Sequence, residues 1–194
     1  MSKEILALDK DEVFFPFIAT FIDDHNREFG TEASTVQASY DFEDFLEISR
    51  DEVIKRVHDF TFKGHVGVEP VEGAIDGIHR LNDRFDLVVV TARHPMFRPQ
   101  SEEWIETHFP GVFSELHLIG FPDTNEHHRP KVEVCQEIGA IGLIDDSLSN
   151  VTSVAEAGLQ GVLFGDYGWN QTEILPSGVI RVRDWQEVAE HFGV

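Results

Sequence analysis

Five short, continuous apolar runs constrain the fold of this chain most strongly. They occupy residues 5–8, 87–90, 116–119, 141–144 and 161–164. Runs with so little polar alternation are typical of strands buried on both faces of a parallel sheet. Between them, apolar residues recur at helical spacing, as do Ile75, Ile78 and Leu81. This alternation of strand and helix predicts an α/β fold with a doubly wound parallel sheet.

Signals near the helix ends and the C-terminus agree with this prediction. Gly139 and Gly158 stand where two predicted helices end, and glycine readily adopts the left-handed conformation of a helix cap. Residues 179–194 predict a short strand and then a helix with Trp185 and Val188 facing inward.

Residues 14–68 interrupt the rhythm of strands and helices. This stretch contains no Val/Ile-rich run but is rich in Phe and acidic residues, and Ile18, Phe21, Ile22 and His25 share one helical face. We therefore predict a small helical insertion over residues 14–68, with residues 1–13 and 69–194 forming the core domain. The Phe side chains have two interpretations. The structural one is packing inside the insertion, and the functional one is contact with a substrate.

Charge and cysteine content exclude several classes of protein. The 194 residues carry 15 Lys and Arg against 36 Asp and Glu, a formal net charge of −21. Such a charge repels nucleic-acid polymers and anionic membrane surfaces. No apolar run approaches the ~20 residues of a membrane span. The single cysteine, Cys135, excludes an internal disulfide, and together these features predict a soluble cytoplasmic protein; the oligomeric state is not indicated.

Polar residues follow the predicted strands, at the edge where open α/β sheets place their sites. Asp9, Lys10 and Asp11 follow the first run, Thr91, Ala92 and Arg93 follow the second, Lys131 opens a helix, and Asp145 and Asp146 follow the fourth run. Each group alone is a weak signal, because a polar turn or a helix cap would look the same. Their order along the chain is a much stronger signal.

With these residues in this order, the chain resembles the haloacid dehalogenase (HAD)-like superfamily of aspartate-dependent phosphohydrolases. More narrowly, it resembles the 5′(3′)-deoxyribonucleotidase-like branch. The matching blocks are Asp9-Lys10-Asp11-Glu12-Val13, the segment His25-Asn26-x-x-Phe29-Gly30-Thr31, Thr91-Ala92-Arg93, Ile144-Asp145-Asp146-Ser147 and Gly168-Trp169-Asn170. The resemblance covers nearly the whole chain and implies a HAD-like Rossmannoid core with a small helical C1-type cap.

The resemblance implies a phosphatase mechanism and a role for each block. Asp9 would attack phosphorus and form an aspartyl-phosphate, and Asp11 would act as general acid and base. Thr91, Lys131 and backbone N–H groups near Ala92 would hold the phosphoryl oxygens.

The implied cofactor is Mg²⁺, since clustered carboxylates and a phosphate dianion need a cation with hard oxygen ligands. The implied ligands are Asp9, the backbone carbonyl of Asp11 and one of the two adjacent acids. We favour Asp146 as the ligand and Asp145 as its neighbour, holding Lys131 or a metal-bound water; the sequence leaves the order of these two acids open.

The expected substrate is a small phosphorylated metabolite such as a nucleoside or deoxynucleoside monophosphate. Asn26 and Phe29 in the predicted cap are the candidate substrate contacts. Other interpretations remain: a phospho-ligand-binding protein of the same fold without turnover, and a dehalogenase. The pair His127-His128 is interpreted as loop residues rather than metal ligands.

Two residues depart from the pattern of the wider superfamily. Lys10 stands where an apolar side chain is usual and is expected to point away from the site and reach solvent or an acid. Glu12 stands where glycine is common, although it matches the narrower branch.

Overall fold

The computed structural model describes residues 3–34, 42–120 and 129–194. Six strands form one sheet in the order β3-β2-β1-β4-β5-β6, and every neighbouring pair is parallel. The strands are β1 (Glu4–Leu8), β2 (Phe85–Thr91), β3 (Phe113–Leu118), β4 (Ala140–Asp145), β5 (Gln160–Phe164) and β6 (Val179–Val182). The predicted doubly wound parallel sheet is confirmed.

Helices cover both faces of the sheet. The helices of the core are α4 (Ala74–Arg84), α5 (Arg98–His108), α6 (Lys131–Ile138), α7 (Leu148–Glu156) and α8 (Trp185–Phe192). Leu6 and Leu8 of β1 pack with α4, α5 and α8 on one face, while Ala7 packs with α6 and α7 on the other. Side chains that alternate between two covered faces explain why β1, β2, β4 and β5 are mostly apolar, whereas the edge strand β3 carries exposed polar residues.

The predicted helix ends and the C-terminal helix are confirmed, with one difference in α4. Gly139 has φ 70° at the end of α6, Gly158 has φ 83° just after α7, and Trp185 and Val188 are buried. Ile75, however, is 46% exposed, because neighbouring residues of α4, and not Ile75, face the core. One of them, Gly77, lies so close to the ring of Trp185 that a Cβ atom there would stand 2.6 Å from it.

Among the residues that the structure describes, three helices lie between β1 and α4, and they form the small helical cap that was expected. They are α1 (Phe17–Phe29), α2 (Phe42–Leu46) and α3 (Arg50–Phe62). A cluster of buried side chains, Ile18, Phe21 and Ile22 from α1 and Phe60 from α3, holds the cap together. The boundary at residues 14–68 stays a prediction; Phe14 and Phe15 belong to the core cluster, where their rings contact Trp104.

The strand order reverses direction at β1, which has β2 on one side and β4 on the other. Open α/β sheets bind ligands in the crevice that forms at such a point, beyond the carboxyl ends of the strands. The cap follows β1 in the chain, so it begins next to this crevice.

Candidate active site

Asp9, Lys131 and Asp145 meet at the carboxyl edge of the sheet. The backbone N–H of Asp9 donates to the carbonyl of Ile144 at 2.8 Å, which aligns the end of β1 with the end of β4. Nζ of Lys131, the first residue of α6, lies 2.8 Å from Oδ1 of Asp9 and 2.6 Å from Oδ2 of Asp145. Burial lowers the pKa of Lys131, but the two carboxylates outweigh it and hold that pKa above its usual value. The lysine therefore stays charged between the two acids.

Asp9, Asp145 and Asp146 form a buried group of carboxylates. Each offers one oxygen, and the three oxygens lie within 4.8 Å of one another. Burial raises the pKa of Asp9 well above its usual range; the charge of Lys131 opposes this shift, and the neighbouring acids add to it. A divalent cation with hard oxygen ligands fits this donor set, because it offsets charge that burial and like-charge neighbours disfavour.

The two adjacent acids have different partners. Asp145 accepts from Lys131, from the backbone N–H of Ser147 at 2.8 Å and from Nδ2 of Asn150, which lies 3.2 Å from both of its oxygens. Oδ2 of Asp146 accepts from the indole Nε1 of Trp169 at 2.8 Å. This division supports the preference for Asp146 as a metal ligand and Asp145 as the partner of Lys131, and that assignment stays a proposal.

Arg93 holds the side chain of Asp11. Its Nε and Nη2 donate to the two carboxylate oxygens at 2.9 and 2.8 Å, a paired geometry that fixes the orientation of the carboxylate. Burial raises the pKa of Asp11, but the charges of Arg93 and Lys10 outweigh burial and leave the pKa below its usual value. In this arrangement Asp11 is ionised.

The side chain of Lys10 points away from the group of three acids and into an aromatic pocket, and this direction was expected. Its Nζ lies 3.6 Å from the centre of the Phe15 ring and 4.6 Å from that of Trp104. It does not reach solvent, being fully buried, but it lies 3.8 Å from Oδ1 of Asp11. Burial lowers the pKa of Lys10 well below its usual value.

Glu12 occupies a backbone conformation that explains why glycine is common there. Its φ is 61°, in the left-handed region that strains side chains other than glycine. Its carboxylate accepts from the backbone N–H of Ile18 at 2.5 Å, in the first turn of α1, and so joins the active-site loop to the cap. Burial raises the pKa of Glu12 to about 7.

The acid group lies in a cleft of about 520 Å³ between the core and the cap. Thr91 and Ala92 line it beside Lys131, so the structure brings together every predicted catalytic, phosphate-binding and metal-binding residue. Phe17, Phe42 and other cap side chains form an apolar wall, to which the core adds Phe97; the remaining cap residues lining the cleft are Ile18, Val57 and Thr61.

Asn26 and Phe29 do not line this cleft, contrary to expectation. The side chain of Asn26 bonds within its own segment, donating to the carbonyl of Ala33 and accepting from Thr31. The ring of Phe29 lies 3.6 Å from the guanidinium of Arg56 and packs against His25. Asn26 and Phe29 thus make contacts within the cap, and other residues form the wall of the cleft. The pair His127-His128 lies outside the described residues.

Sequence reasoning missed the contacts of Arg93, Asn150 and Trp169 with the acids. Arg93 and Trp169 stood in blocks that carried the family resemblance, and Asn150 lies one helical turn beyond the two acids. Their place beside recognised residues was the available signal.

The family of this chain follows from a match over nearly its whole length. Residues 3–192 match the model of the 5′ nucleotidase, deoxy (pyrimidine), cytosolic type C protein family (NT5C). The chain belongs to this family. It is thus a HAD-type phosphatase, as the motif order in the sequence indicated.

Solved structures with the same fold span the whole chain. A haloacid dehalogenase-like hydrolase from Streptococcus pneumoniae is 14% identical with a TM-score of 0.69, covering 98% of each chain. A protein from Bacillus subtilis described as a HAD-hydrolase bound to magnesium is 14% identical, with a TM-score of 0.65 and 100% of both chains covered. One from Haemophilus somnus described as a predicted phosphoglycolate phosphatase is 16% identical, with a TM-score of 0.62 and 99% coverage of each chain. At these identities the likeness concerns the fold.

Among curated protein sequences none matches this chain significantly. Across residues 3–34, 42–120 and 129–194, no helix is both long enough and apolar enough to span a membrane.

Proposed function

We propose that the protein hydrolyses small phosphomonoesters in a Mg²⁺-dependent reaction through an aspartyl-phosphate on Asp9. The observation that carries this proposal is the geometry around Lys131, which holds Asp9 and Asp145 at 2.8 and 2.6 Å with Asp146 alongside. A nucleophile, a phosphate-binding lysine and a group of oxygen donors thereby face one cleft.

The hydrogen bonds of Asp9 leave one oxygen for attack. Its Oδ1 accepts from the backbone N–H of Lys10 at 2.7 Å and from Lys131. Among the described residues, no donor to Oδ2 is present, so this oxygen can approach phosphorus. Attack forms the Oδ2–P bond as the ester P–O bond breaks, and water then attacks phosphorus and restores the carboxylate.

Asp11 supplies and removes the protons of both steps. It donates a proton to the departing ester oxygen and, once ionised, takes one from the attacking water. Because Arg93 holds the ionised form, Asp11 must first take up a proton from solvent and give up at least one of the two Arg93 hydrogen bonds; the proton that it later takes from the attacking water restores the protonated form for the next cycle. Thr91, Ala92 and Lys131 line the cleft where the phosphoryl oxygens would lie.

Asp9, the carbonyl of Asp11 and Asp146 are the residues that would hold Mg²⁺. When bound, the cation neutralises negative charge on the acids and on the phosphoryl group. Asp145 is committed to Lys131, Ser147 and Asn150, and its role is to hold the lysine in place.

The cleft favours a substrate with a flat, apolar part beyond the phosphate. Its volume of about 520 Å³ lies in the range of small-molecule sites, and Phe17, Phe42 and Phe97 line it. Aromatic walls stack on nucleobases. We therefore propose a nucleoside or deoxynucleoside monophosphate as the substrate. We also propose that the enzyme acts in the cytoplasm.

A phosphomonoester panel with controlled metal content tests the proposal. The purified protein should release phosphate from p-nitrophenyl phosphate and, with lower KM, from nucleoside monophosphates. EDTA should abolish turnover, Mg²⁺ should restore it, and Ca²⁺ should inhibit because its larger, looser coordination disturbs the in-line geometry. Full activity in EDTA would overturn the mechanism, and tight binding of a monophosphate without phosphate release would indicate a binding protein instead.

A further inference from the structure

The loop after β5 contacts the predicted metal ligand Asp146 twice. The indole Nε1 of Trp169 donates to Oδ2 of the Asp146 side chain at 2.8 Å. The neighbouring Asn170 donates from Nδ2 to the backbone carbonyl of Asp146 at 3.1 Å. Side chain and backbone of this one acid are thus held from the same short helical turn, Gly168–Asn170.

This turn is itself rigidly fixed. Asn170 is fully buried and also donates to the carbonyl of Phe164, at the end of β5, at 3.0 Å. Arg181 of β6 donates to the side-chain and backbone oxygens of Asn170 at 2.9 and 2.6 Å. The turn that carries the indole donor is therefore anchored by hydrogen bonds to β5 and β6 of the sheet.

The Trp169 ring is held on the side of the cap as well. It stacks on the ring of Tyr167 with centres 4.7 Å apart and planes 7° apart. The hydroxyl of Tyr167 donates to the backbone carbonyl of Glu12 at 2.7 Å, and Trp169 packs against the cap cluster of Ile18, Phe21, Ile22 and Phe60.

We propose that Trp169 is a positioning residue that orients Asp146 for the divalent cation. The hydrogen bond to Oδ2 holds the carboxylate in one orientation, so binding a cation costs less ordering of the side chain. Partners of this kind, which hold a ligand without touching the metal, typically change metal affinity about 10- to 100-fold when removed. The inference rests on the cation site of the proposed function.

Mg²⁺ titration of the substrate-free protein by calorimetry tests this role without relying on turnover. Trp169→Phe keeps an aromatic ring but removes the donor, and it should weaken Mg²⁺ binding about tenfold or more. Trp185→Phe is the matched control, because the indole of Trp185 donates to the carbonyl of Val13 at 3.0 Å and not to an acid of the site. This control should bind Mg²⁺ like the wild type.

Kinetics separate positioning from a general loss of structure. In Trp169→Phe the Mg²⁺ concentration for half-maximal turnover should rise by the same factor as the dissociation constant, while kcat at saturating Mg²⁺ stays near the wild-type value. A kcat that remains low at saturating Mg²⁺, with unchanged Mg²⁺ affinity, would overturn the proposal.

A second variant keeps the test decisive if Trp169→Phe does not fold. Benzothienylalanine at position 169 replaces the N–H by sulfur and preserves the shape of the ring, so it removes the donor alone. Mg²⁺ affinity equal to that of the wild type in this variant overturns the role of Trp169 and leaves the proposed function intact. Absence of Mg²⁺ binding by the wild-type protein overturns the cation site and this inference together.

Discussion

Lys131 and the three buried acids show how a few side chains define the chemistry of this site. Asp9 is buried beside Asp145 and Asp146, which raises its pKa, and Lys131 is the counter-charge that contacts both Asp9 and Asp145. Buried charges are retained at such a cost where they are paired or bind a metal. The arrangement is therefore more readily explained by catalysis than by stability.

Replacing Asp9 by Asn tests the nucleophile directly. The amide has nearly the same shape but attacks phosphorus poorly, so Asp9→Asn should lower kcat by at least ~10³-fold. Circular dichroism should show the wild-type fold, because the change removes a charge that burial disfavours. Asp23→Asn, at an exposed position on α1, is the matched control and should retain activity. More than a few per cent of wild-type turnover in Asp9→Asn would mean that another group attacks phosphorus.

His65 gives the protein a defined response to acid. Its ring stacks on Phe60 with centres 3.9 Å apart, and burial lowers its pKa below the ordinary 6.5. When the pH falls below 6.5, the unfolded chain takes up this proton before the folded protein does. The stability contributed by neutral His65 is therefore complete above pH 6.5 and is lost as the pH falls through the folded-state pKa.

The variant His65→Gln should remove this part of the pH dependence. Urea unfolding between pH 7.5 and 5.5 should show a smaller loss of unfolding free energy in the variant than in the wild type. Comparing the two slopes cancels the other titrating groups. Parallel slopes would show that His65 has the same pKa in the folded and unfolded states.

At the scale of elements, the helices of the cap place some aromatic rings in the cleft and others outside it. Phe42, the first residue of α2, lines the cleft and meets the ring of Phe21 edge-on. Phe29, the last residue of α1, packs against Arg56 and His25 outside the cleft. Two rings of the same cap therefore have separate expected roles.

The pair Phe42→Ala and Phe29→Ala compares these two rings. Loss of a stacking surface worth about 1–3 kcal/mol should raise KM for the best nucleoside monophosphate roughly tenfold in Phe42→Ala, with little change in kcat. Phe29→Ala should leave KM close to that of the wild type. p-Nitrophenyl phosphate, whose leaving group is smaller, should be affected less. A larger KM effect in Phe29→Ala than in Phe42→Ala would contradict this assignment of the substrate wall.

The whole molecule carries a formal net charge of −21 spread over 194 residues. Charge of one sign destabilises a compact state through self-repulsion, and salt screens this repulsion. The protein should therefore be more stable at high ionic strength.

Thermal unfolding at increasing NaCl concentration measures this effect. The Tm should rise between 0.1 and 1 M NaCl, and each ~1 kcal/mol gained corresponds to about 2–4 °C for a chain of this size. An uncharged osmolyte at equal osmolality provides the control for effects other than screening. A Tm that falls with NaCl would show that the acidic residues are stabilised chiefly by ion pairs such as those of Lys63 with Asp24 and Glu28.

Local sequence patterns were sufficient to predict the sheet and the residues that gather at its edge. A strand buried on both faces needs a continuous apolar run, and β1, β2, β4 and β5 each contain one of the five runs, while the run at residues 116–119 extends one residue beyond the end of β3. Carboxyl ends of parallel strands share one edge, so the order of Asp9, Thr91, Lys131 and Asp145 along the chain already implied one site. These properties depend on near neighbours in the chain.

The tertiary structure alone decided which partner each side chain meets. Arg93 is 82 residues from Asp11, and Trp169 is 23 residues from Asp146, so no local pattern connects them. Phe29 belongs to a segment that resembles the family's cap, yet its ring packs away from the cleft. Side-chain partners depend on how loops and helices from distant parts of the chain pack together. The order of residues along the chain was therefore enough to predict the sheet and the polar side chains at its edge, while packing sets how those side chains are oriented and which rings face the cleft.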